Sequence, residues 1–504
     1  MSHLVIAPVL LPLLAGILLL MFSRQGIGLH RVLSVIAVLG QIGLALGLMA
    51  AVEGGEILVY ALGNWPSPFG IVLVADRLAA WMLLVTALLS LFALLYALCG
   101  SDTAGRHFHI LFQLQLFGLN GAFLTGDLFN LFVFFEILLL ASYGLLLHGS
   151  GKERTRAGLH FVVINLAGST LFLFAVGTLY GILGTLNMAD LAVQVAAMPP
   201  ENISLVRAAG LLLFGVFALK AALLPLYLWL PASYAAASAP VAALFAIMTK
   251  VGAYSILRMY TLIFGAEAGA AANLIEPWLL PLALLTLTAG IFGALAASNL
   301  RMQVSYLMVA SIGSLLTAFG LSSASGIAAG LYYLPHTTFA SAAFFLLADT
   351  ISHHRGGTGD RFEPGPAITS PRLLGTLFFF CALLMSGLPP LSGFLGKFML
   401  LRAALDHPAL PWVMGVTLLA GLLCMVALAR SGSLMFYRVH PKEIDAPSPE
   451  GPPGLGEIGP TVGLLLLCLA LTVWAGAASD FSSATAEQLL QPARYIHAVL
   501  GDKS

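Results

Sequence analysis

The chain has 504 residues, 60% of them hydrophobic and only 9% charged, far below the roughly 25% charged residues of a soluble domain. Its 22 basic and 22 acidic residues cancel, so no basic excess points to nucleic acid. This composition excludes an ordinary soluble domain and leaves a polytopic protein embedded in the lipid bilayer.

Length arithmetic on the apolar runs predicts an all-α membrane protein with about fourteen spans. They fall at about 4–22, 29–52, 73–100, 108–126, 128–148, 158–183, 204–230 (broken), 235–264, 273–298, 302–321, 325–352, 372–405 (broken), 409–437 and 457–476. The first run has no positive stretch before it and no small-residue cleavage site after it, so it is expected to be a span rather than a signal peptide.

Loop charges give an orientation. Arg24 and Arg31, Arg106, Lys152 with Arg154 and Arg156, Arg301, Arg355 with Arg361 and Arg372, and Arg438 with Lys442 follow odd-numbered spans. The even loops carry Glu53, Glu56, Asp190, Glu201, Glu267 and Glu276 and are poor in Lys and Arg. Positive loops stay inside, so odd loops are expected in the cytoplasm and both termini on the outer side. Residues 186–203 are too short and polar to cross and are expected along the outer surface. The proline-rich stretch 440–457 reads as a flexible cytoplasmic linker, and the polar tail from about residue 480 as at most a short surface helix.

Two spans are interrupted. FALKAALLPLYLWLP places Pro225 and Pro231 after Lys220, and SGLPPLSGFLGKF places Pro389, Pro390 and three glycines before Lys397. Proline removes a backbone donor and frees a carbonyl, and such breaks at membrane depth are tolerated where they line a polar interior. Broken helices five spans apart suggest two five-span repeats, inverted because five is odd. The expected organisation is 1–105 for the first three spans, 106–265 and 266–438 for the repeats, and 439–504 for the linker, last span and tail.

Charge inside the spans is the strongest functional signal, because an ionisable side chain at bilayer depth costs roughly 2.5–3.5 kcal/mol on insertion scales. Lys220 and Lys250 lie in apolar runs around the first break, Glu136 lies well inside TGDLFNLFVFFEILLLASYGLL, His336 follows Pro335, and Lys397 follows the second break. A carboxylate at the depth of Glu136 must be neutralised by protonation or by a positive partner, and Lys220 is the expected partner. Histidine passes protons at either ring nitrogen near neutral pH. Glu136, Lys220, Lys250, His336 and Lys397 are therefore expected to form a line across the midplane. Asp127, Asp349, His160, His353 and His354 sit near span ends and read as interfacial, with Asp349 and His160 the better secondary candidates. Cys99, Cys381, Cys424 and Cys468 lack ligand spacing, so no metal cluster, haem or other cofactor is expected.

FALKAALLPLYLWLPASYAAASAPVAALFAIMTKVGAYSILR resembles the proton-translocating signature of the antiporter-like subunits of respiratory complex I, membrane-bound hydrogenases and Mrp-type Na+/H+ antiporters. TGDLFNLFVFFEILLLASYGLLLHG and GLPPLSGFLGKF resemble the family of D-type subunits of the multisubunit Mrp antiporter. The resemblance covers essentially the whole chain. It implies fourteen spans with inverted five-span repeats, and a fifth-span Glu136 paired with Lys220. It further implies a bridging Lys250, a central His336 and a terminal Lys397, where some complex I relatives carry glutamate. The extensions of the largest antiporter-like chain of complex I and of the A-type Mrp chain are not expected. The implied function is proton translocation in a bacterial inner-membrane cation/proton antiporter, a secondary transporter rather than an enzyme. Its partners would be the other Mrp subunits (A, B, C, E, F and G types), with protons and Na+ or K+ as cargo. The alternative is a proton-pumping subunit of complex I or a membrane-bound hydrogenase, which would be distinguished by redox partners.

Overall fold

The computed structural model describes residues 3–438 and 451–501, so most of the predicted linker, 440–457, lies outside the described residues. In chain order, α1 (His3–Met21) and α2 (Ile27–Val52) lead into an antiparallel hairpin, β1 (Leu58–Ala61) and β2 (Val72–Ala75), and then α3 (Arg77–Ala97). α4 (Phe108–Leu124), α5 (Leu128–Leu147), α6 (Lys152–Leu183) and the short α7 (Met188–Ala196) follow. Next come α8 (Ile203–Ala221), α9 (Trp229–Ala236), α10 (Ala239–Phe245) and α11 (Met248–Leu262). The second half contains α12 (Glu276–Ala296), α13 (Leu300–Gly320), α14 (Ala324–His354), α15 (Pro371–Ser386), α16 (Ser392–Ala403) and α17 (Leu410–Phe436). It ends with α18 (Leu455–Val473), α19 (Ala475–Leu489) and α20 (Pro492–Leu500).

Eleven helices among the described residues are long and apolar enough to cross a membrane, and the chain is a multi-pass membrane protein. α4 and α15 are apolar but shorter. Apolar helices with outward-facing Leu14, Leu39, Leu166, Phe174, Phe292 and Leu418 form the rim, as expected where lipid replaces water as solvent. The stretch from α10 through α11 is wholly buried and α13 nearly so, so the centre of the bundle holds the broken, polar-bearing segments.

Three expectations are corrected. The fold is mostly helical rather than all-α, because Leu58 to Ala61 pairs with Ala75 to Val72 in the hairpin. The region proposed as the start of the third span is therefore a strand, and the helix begins only after Asp76, whose carboxylate accepts from the Ala79 amide at 2.9 Å. The tail is more than the expected surface helix: α20 is a short helix with Pro492, Tyr495 and Val499 buried and Ala493, Arg494 and His497 exposed, but α19 before it is not a surface helix. α19 packs along α14 with Ser482, Thr485 and Gln488 buried, and Gln488 donates to the Gly55 carbonyl at 3.1 Å. The segment 186–203 contains α7, too short to cross, whose Met188, Leu191 and Val195 are buried.

Prolines inside helices free carbonyls that side chains then satisfy, as buried polar groups require. Pro12 leaves the Pro8 carbonyl without its helical donor, and Gln41 and Asn120 amides bond it at 2.9 and 2.8 Å. Pro335 does the same to Leu331, whose carbonyl accepts from the Trp81 indole at 3.1 Å. These contacts fasten α1 to α2 and α4, and α14 to α3.

Connections meet others at the same end of the bundle. At one end, Arg31 grips Asp102 at 2.7 and 2.8 Å, with His109 at 3.2 Å. Burial works against the Asp102 carboxylate, but Arg31 and His109 hold it below the usual carboxylate range. Arg154 bonds the His148 and Ala236 carbonyls, and Asp349 accepts from Arg301 and Tyr96 at 2.8 and 3.0 Å. At the opposite end, β2 bridges Thr125, Asp127 bridges Asn187, and Arg258 clasps Asp76 at 2.6 and 2.7 Å beneath Tyr495.

Candidate intramembrane charge pathway

Lys220 stands one residue before the end of α8, whose last carbonyls are handled locally. Ala222 adopts the left-handed conformation (φ 58°), its amide bonds Leu219 at 3.1 Å, and the Leu223 amide bonds Ala218 at 2.9 Å. The Trp229 indole also bonds the Leu219 carbonyl, and the Leu224 amide reaches Thr286 on α12 at 2.8 Å. The break predicted at Pro225 is present, and it is closed by these donors.

The Lys220 ammonium is buried and bonds Asn165 on α6, the side-chain Oδ1 at 3.2 Å and the backbone carbonyl at 3.4 Å. It also stands 6.0 Å over the Phe135 ring, within range of a weak cation–π attraction. Glu136, the next residue on α5, is half-buried and acts on Lys220 electrostatically. Among the described residues no ion pair joins them, and Glu136 Oε1 has no hydrogen-bond partner. The expected pair is thus a neighbour interaction, and Asn165, which sequence reasoning passed over, holds the direct contact.

Lys250 lies in the first turn of α11, just past an irregular turn at residues 246–247. Its side chain is 0% exposed, and its ammonium has no hydrogen-bond partner among the described residues. The neighbouring Thr249 hydroxyl is likewise unpartnered. Gly252, one turn on from Thr249, lets α11 press against the α8 backbone at Lys220 and Ala221, where a Cβ would come within 2.8 Å of the Lys220 carbonyl carbon. Glycine is the residue that permits so close an approach, and it brings the two lysine-bearing segments side by side.

His336 sits on α14 after Pro335. Its Nδ1 is 2.9 Å from the Ser392 hydroxyl, and the ring bonds the Leu384 carbonyl. A carbonyl only accepts, so in the neutral ring the other nitrogen donates to Leu384 and Nδ1 accepts from Ser392. Lys250 and Lys397 both act on this ring electrostatically.

Lys397, half-buried on α16, donates to the Ser386 carbonyl at 2.8 Å. Ser386 is the last residue of α15, before left-handed Gly387 (φ 75°). The predicted second break is present, and here the ionisable side chains themselves satisfy its carbonyls. His336 and Lys397 line a shared cavity of about 20 Å³ with Ser311, Ser314, Thr337 and Thr417, enough for one water molecule. The Thr417 hydroxyl is buried without a partner.

Of the five predicted residues, His336 and Lys397 share a cavity, Lys220 and Lys250 lie on either side of the α8/α11 contact, and Glu136 acts electrostatically on Lys220 as Lys250 does on His336. The secondary candidates stand apart. His160 is exposed, Asp349 is tied to Arg301 and Tyr96, Asp127 caps α5, and His353 and His354 gather around Glu457.

Residues 125–424 match the family model described as NADH:quinone oxidoreductase/Mrp antiporter, TM. That range contains all five residues of the line. A probable K+/H+ antiporter D subunit of Rhizobium meliloti is 42% identical, aligned over 99% of this chain and 98% of the relative. The Na+/H+ antiporter D subunit of Bacillus subtilis is 37% identical over 99% and 100% of the two chains. A chain in the structure of the Mrp complex from Dietzia sp. superposes with a TM-score of 0.89 at 28% identity, covering 99% of each chain. The chain therefore belongs to the NADH:quinone oxidoreductase/Mrp antiporter family, within its branch of D-type antiporter subunits.

Proposed function

We propose that this chain is a proton-translocating subunit of a multisubunit monovalent cation/proton antiporter of the bacterial inner membrane. It works beside other Mrp-type subunits, and protons pass along Glu136, Lys220, Lys250, His336 and Lys397. The observation that carries this reading is the chain of three lysines in the bundle interior, none of them in an ion pair among the described residues. A structural lysine in a core is normally paired, because a buried charge without a partner is expensive. A group that must gain and lose a proton cannot be locked to a carboxylate. The relatives' names support exchange of a cation for H+, with Na+ in one and K+ in another.

In this reading the chain makes fourteen crossings, with 1–105 leading, inverted repeats at 106–265 and 266–438, and a last crossing within 439–504. Two features support it. α8 and α15 both end in a left-handed residue with a proline two or three residues further on, and odd connections contact odd ones while even contact even. Protons would then hop between neighbours, each arrival altering the field on the next group, with the water-sized cavity completing the step from His336 to Lys397.

The test is cation/proton exchange in everted vesicles carrying the full set of subunits, in Na+ and in K+. Lys397→Ala is expected to assemble and lose exchange, and Lys397→Glu to retain part of it, because a carboxylate also loads and releases a proton. An alanine variant that assembles and exchanges normally would remove Lys397 from the route.

A further inference from the structure

A second cluster of titratable groups lies outside this line. α14 ends in His353 and His354, and the first turn of α18 supplies Glu457. His354 Nε2 is 3.1 Å from Glu457 Oε2, and His353 Nδ1 is 3.7 Å from Oε1. The ligand atoms of the three residues all lie within 4.8 Å of one another. The His354 side chain is 2% exposed and its Nδ1 is buried without a partner, whereas the His353 side chain is 63% exposed. The nearby guanidinium groups are engaged elsewhere: Arg31 holds Asp102, Arg301 holds Asp349, and Arg355 holds the carbonyls of residues 359, 361 and 363. Glu457 thus faces two imidazoles and has no Lys or Arg partner among the described residues.

We propose that His353, His354 and Glu457 form a three-ligand site for a divalent transition metal of the zinc type, and that occupation ties α14 to α18 and slows exchange. Two imidazoles and one carboxylate are a borderline donor set that suits Zn2+, Cu2+ or Ni2+, whereas Mg2+ and Ca2+ prefer all-oxygen sites. Ligands 2.0–2.1 Å from a tetrahedral Zn2+ stand about 3.3 Å apart, so the set needs a modest contraction. His353, the exposed member, can supply it by side-chain rotation. Three protein ligands leave a fourth position on the His353 side for water. The cation would sit between the negative end of the α14 dipole and the positive end of the α18 dipole, so the ligands rather than the helix dipoles would hold it.

The coupling runs along α14. His336 lies 17 residues before His353, about 26 Å along a continuous helix, and its bond to Ser392 joins α14 to the second broken segment. α18 packs on α14 below the metal site, so a bound ion turns a contact that can slide into one fixed at its end. Helix shifts of 1–2 Å are a common switching movement, and the clamp opposes them. The inhibition rests on the proposed exchange function, but the binding does not.

The test uses the intact complex, stripped with chelator, as wild type and as His353→Gln and Glu457→Gln. His353→Gln alters an exposed side chain, so its folding is secure even if Glu457→Gln loosens the α18 start. Zn2+ binding by the purified complex should show one site per complex that both variants weaken at least about tenfold, as loss of metal-site partners does. Exchange by metal-free vesicles should be unchanged in His353→Gln, while its Zn2+ inhibition curve shifts by the same factor as binding. Equal Zn2+ stoichiometry and affinity in the wild type and both variants would overturn the site. Weakened binding with an unshifted inhibition curve would overturn the clamp.

Discussion

Lys250 offers a test in which stability and activity should move in opposite directions. Its ammonium is 0% exposed and has no hydrogen-bond partner among the described residues, and leaving a buried donor unsatisfied costs about 1–3 kcal/mol, more when it is charged. It also sits in the first turn of α11, where the positive end of the helix dipole disfavours a cation by about 0.3–1 kcal/mol. Lys250→Met keeps the length of the side chain and removes both costs, as apolar replacement of buried ions often does. The variant should therefore assemble at least as well as wild type and melt higher. At the roughly 2–4 °C per kcal/mol of a 150–250-residue domain, and less in a larger one, the rise should be a few degrees. Exchange should fall to the level of vesicles lacking this chain. The assay pairs apparent melting of the purified complex with cation/proton exchange in vesicles. A lower melting temperature would mean that the ammonium is satisfied and structural, and retained exchange would mean that it carries no protons.

Other substitutions test neighbouring steps. Glu136→Gln removes the charge beside Lys220 without breaking any hydrogen bond the structure shows for it, so assembly should persist while exchange drops; vesicle exchange with complex yield decides this, and lost assembly would assign Glu136 a structural role. Asn165→Leu removes the side-chain acceptor of Lys220, a charge-assisted bond worth about 1.5–3 kcal/mol; exchange should fall at least about tenfold with Glu136 intact, and an unchanged rate would show that the backbone carbonyl suffices. Asp76→Asn strips the counter-charge from buried Arg258, a change that costs about 3–5 kcal/mol, and folded yield should fall sharply on a size-exclusion profile.

How much of this was legible in the sequence depends on the range of each contact. The interrupted helices could be read because Pro225, Pro389 and Pro390 announce them within a few residues of Lys220 and Lys397. The buried charges could be read because each stands alone in an apolar run. Partners could not be. Asn165 is 55 residues from Lys220, and an asparagine in an apolar helix carries no sign of what it will face, so the charge rule favoured Glu136. The hairpin strands have four residues each, too short to stand out beside the apolar run of α3. α19 was missed because AGAASDFSSATAEQL is small and polar, the composition of a surface helix; its small residues instead allow close packing on α14.

The three lysines differ in how each charge is held, and the differences suit a relay. Lys397 bonds a backbone carbonyl, and a neutral amine keeps N–H donors, so this contact can persist whether or not the proton is present. Lys220 bonds the Asn165 side chain, an amide with both acceptor and donors, which can turn to meet either form. Lys250, between them, has no acceptor among the described residues. No fixed bond therefore holds its charge, and that charge acts on the His336 ring. In the proposed relay, anchored ends with an unanchored middle would let a proton's arrival at one end be felt at the other without any side chain crossing the bundle. If Lys250 carries protons as proposed, the cost of leaving it bare is what would make it responsive, because a strong partner there would hold the proton in place and break the line at its centre.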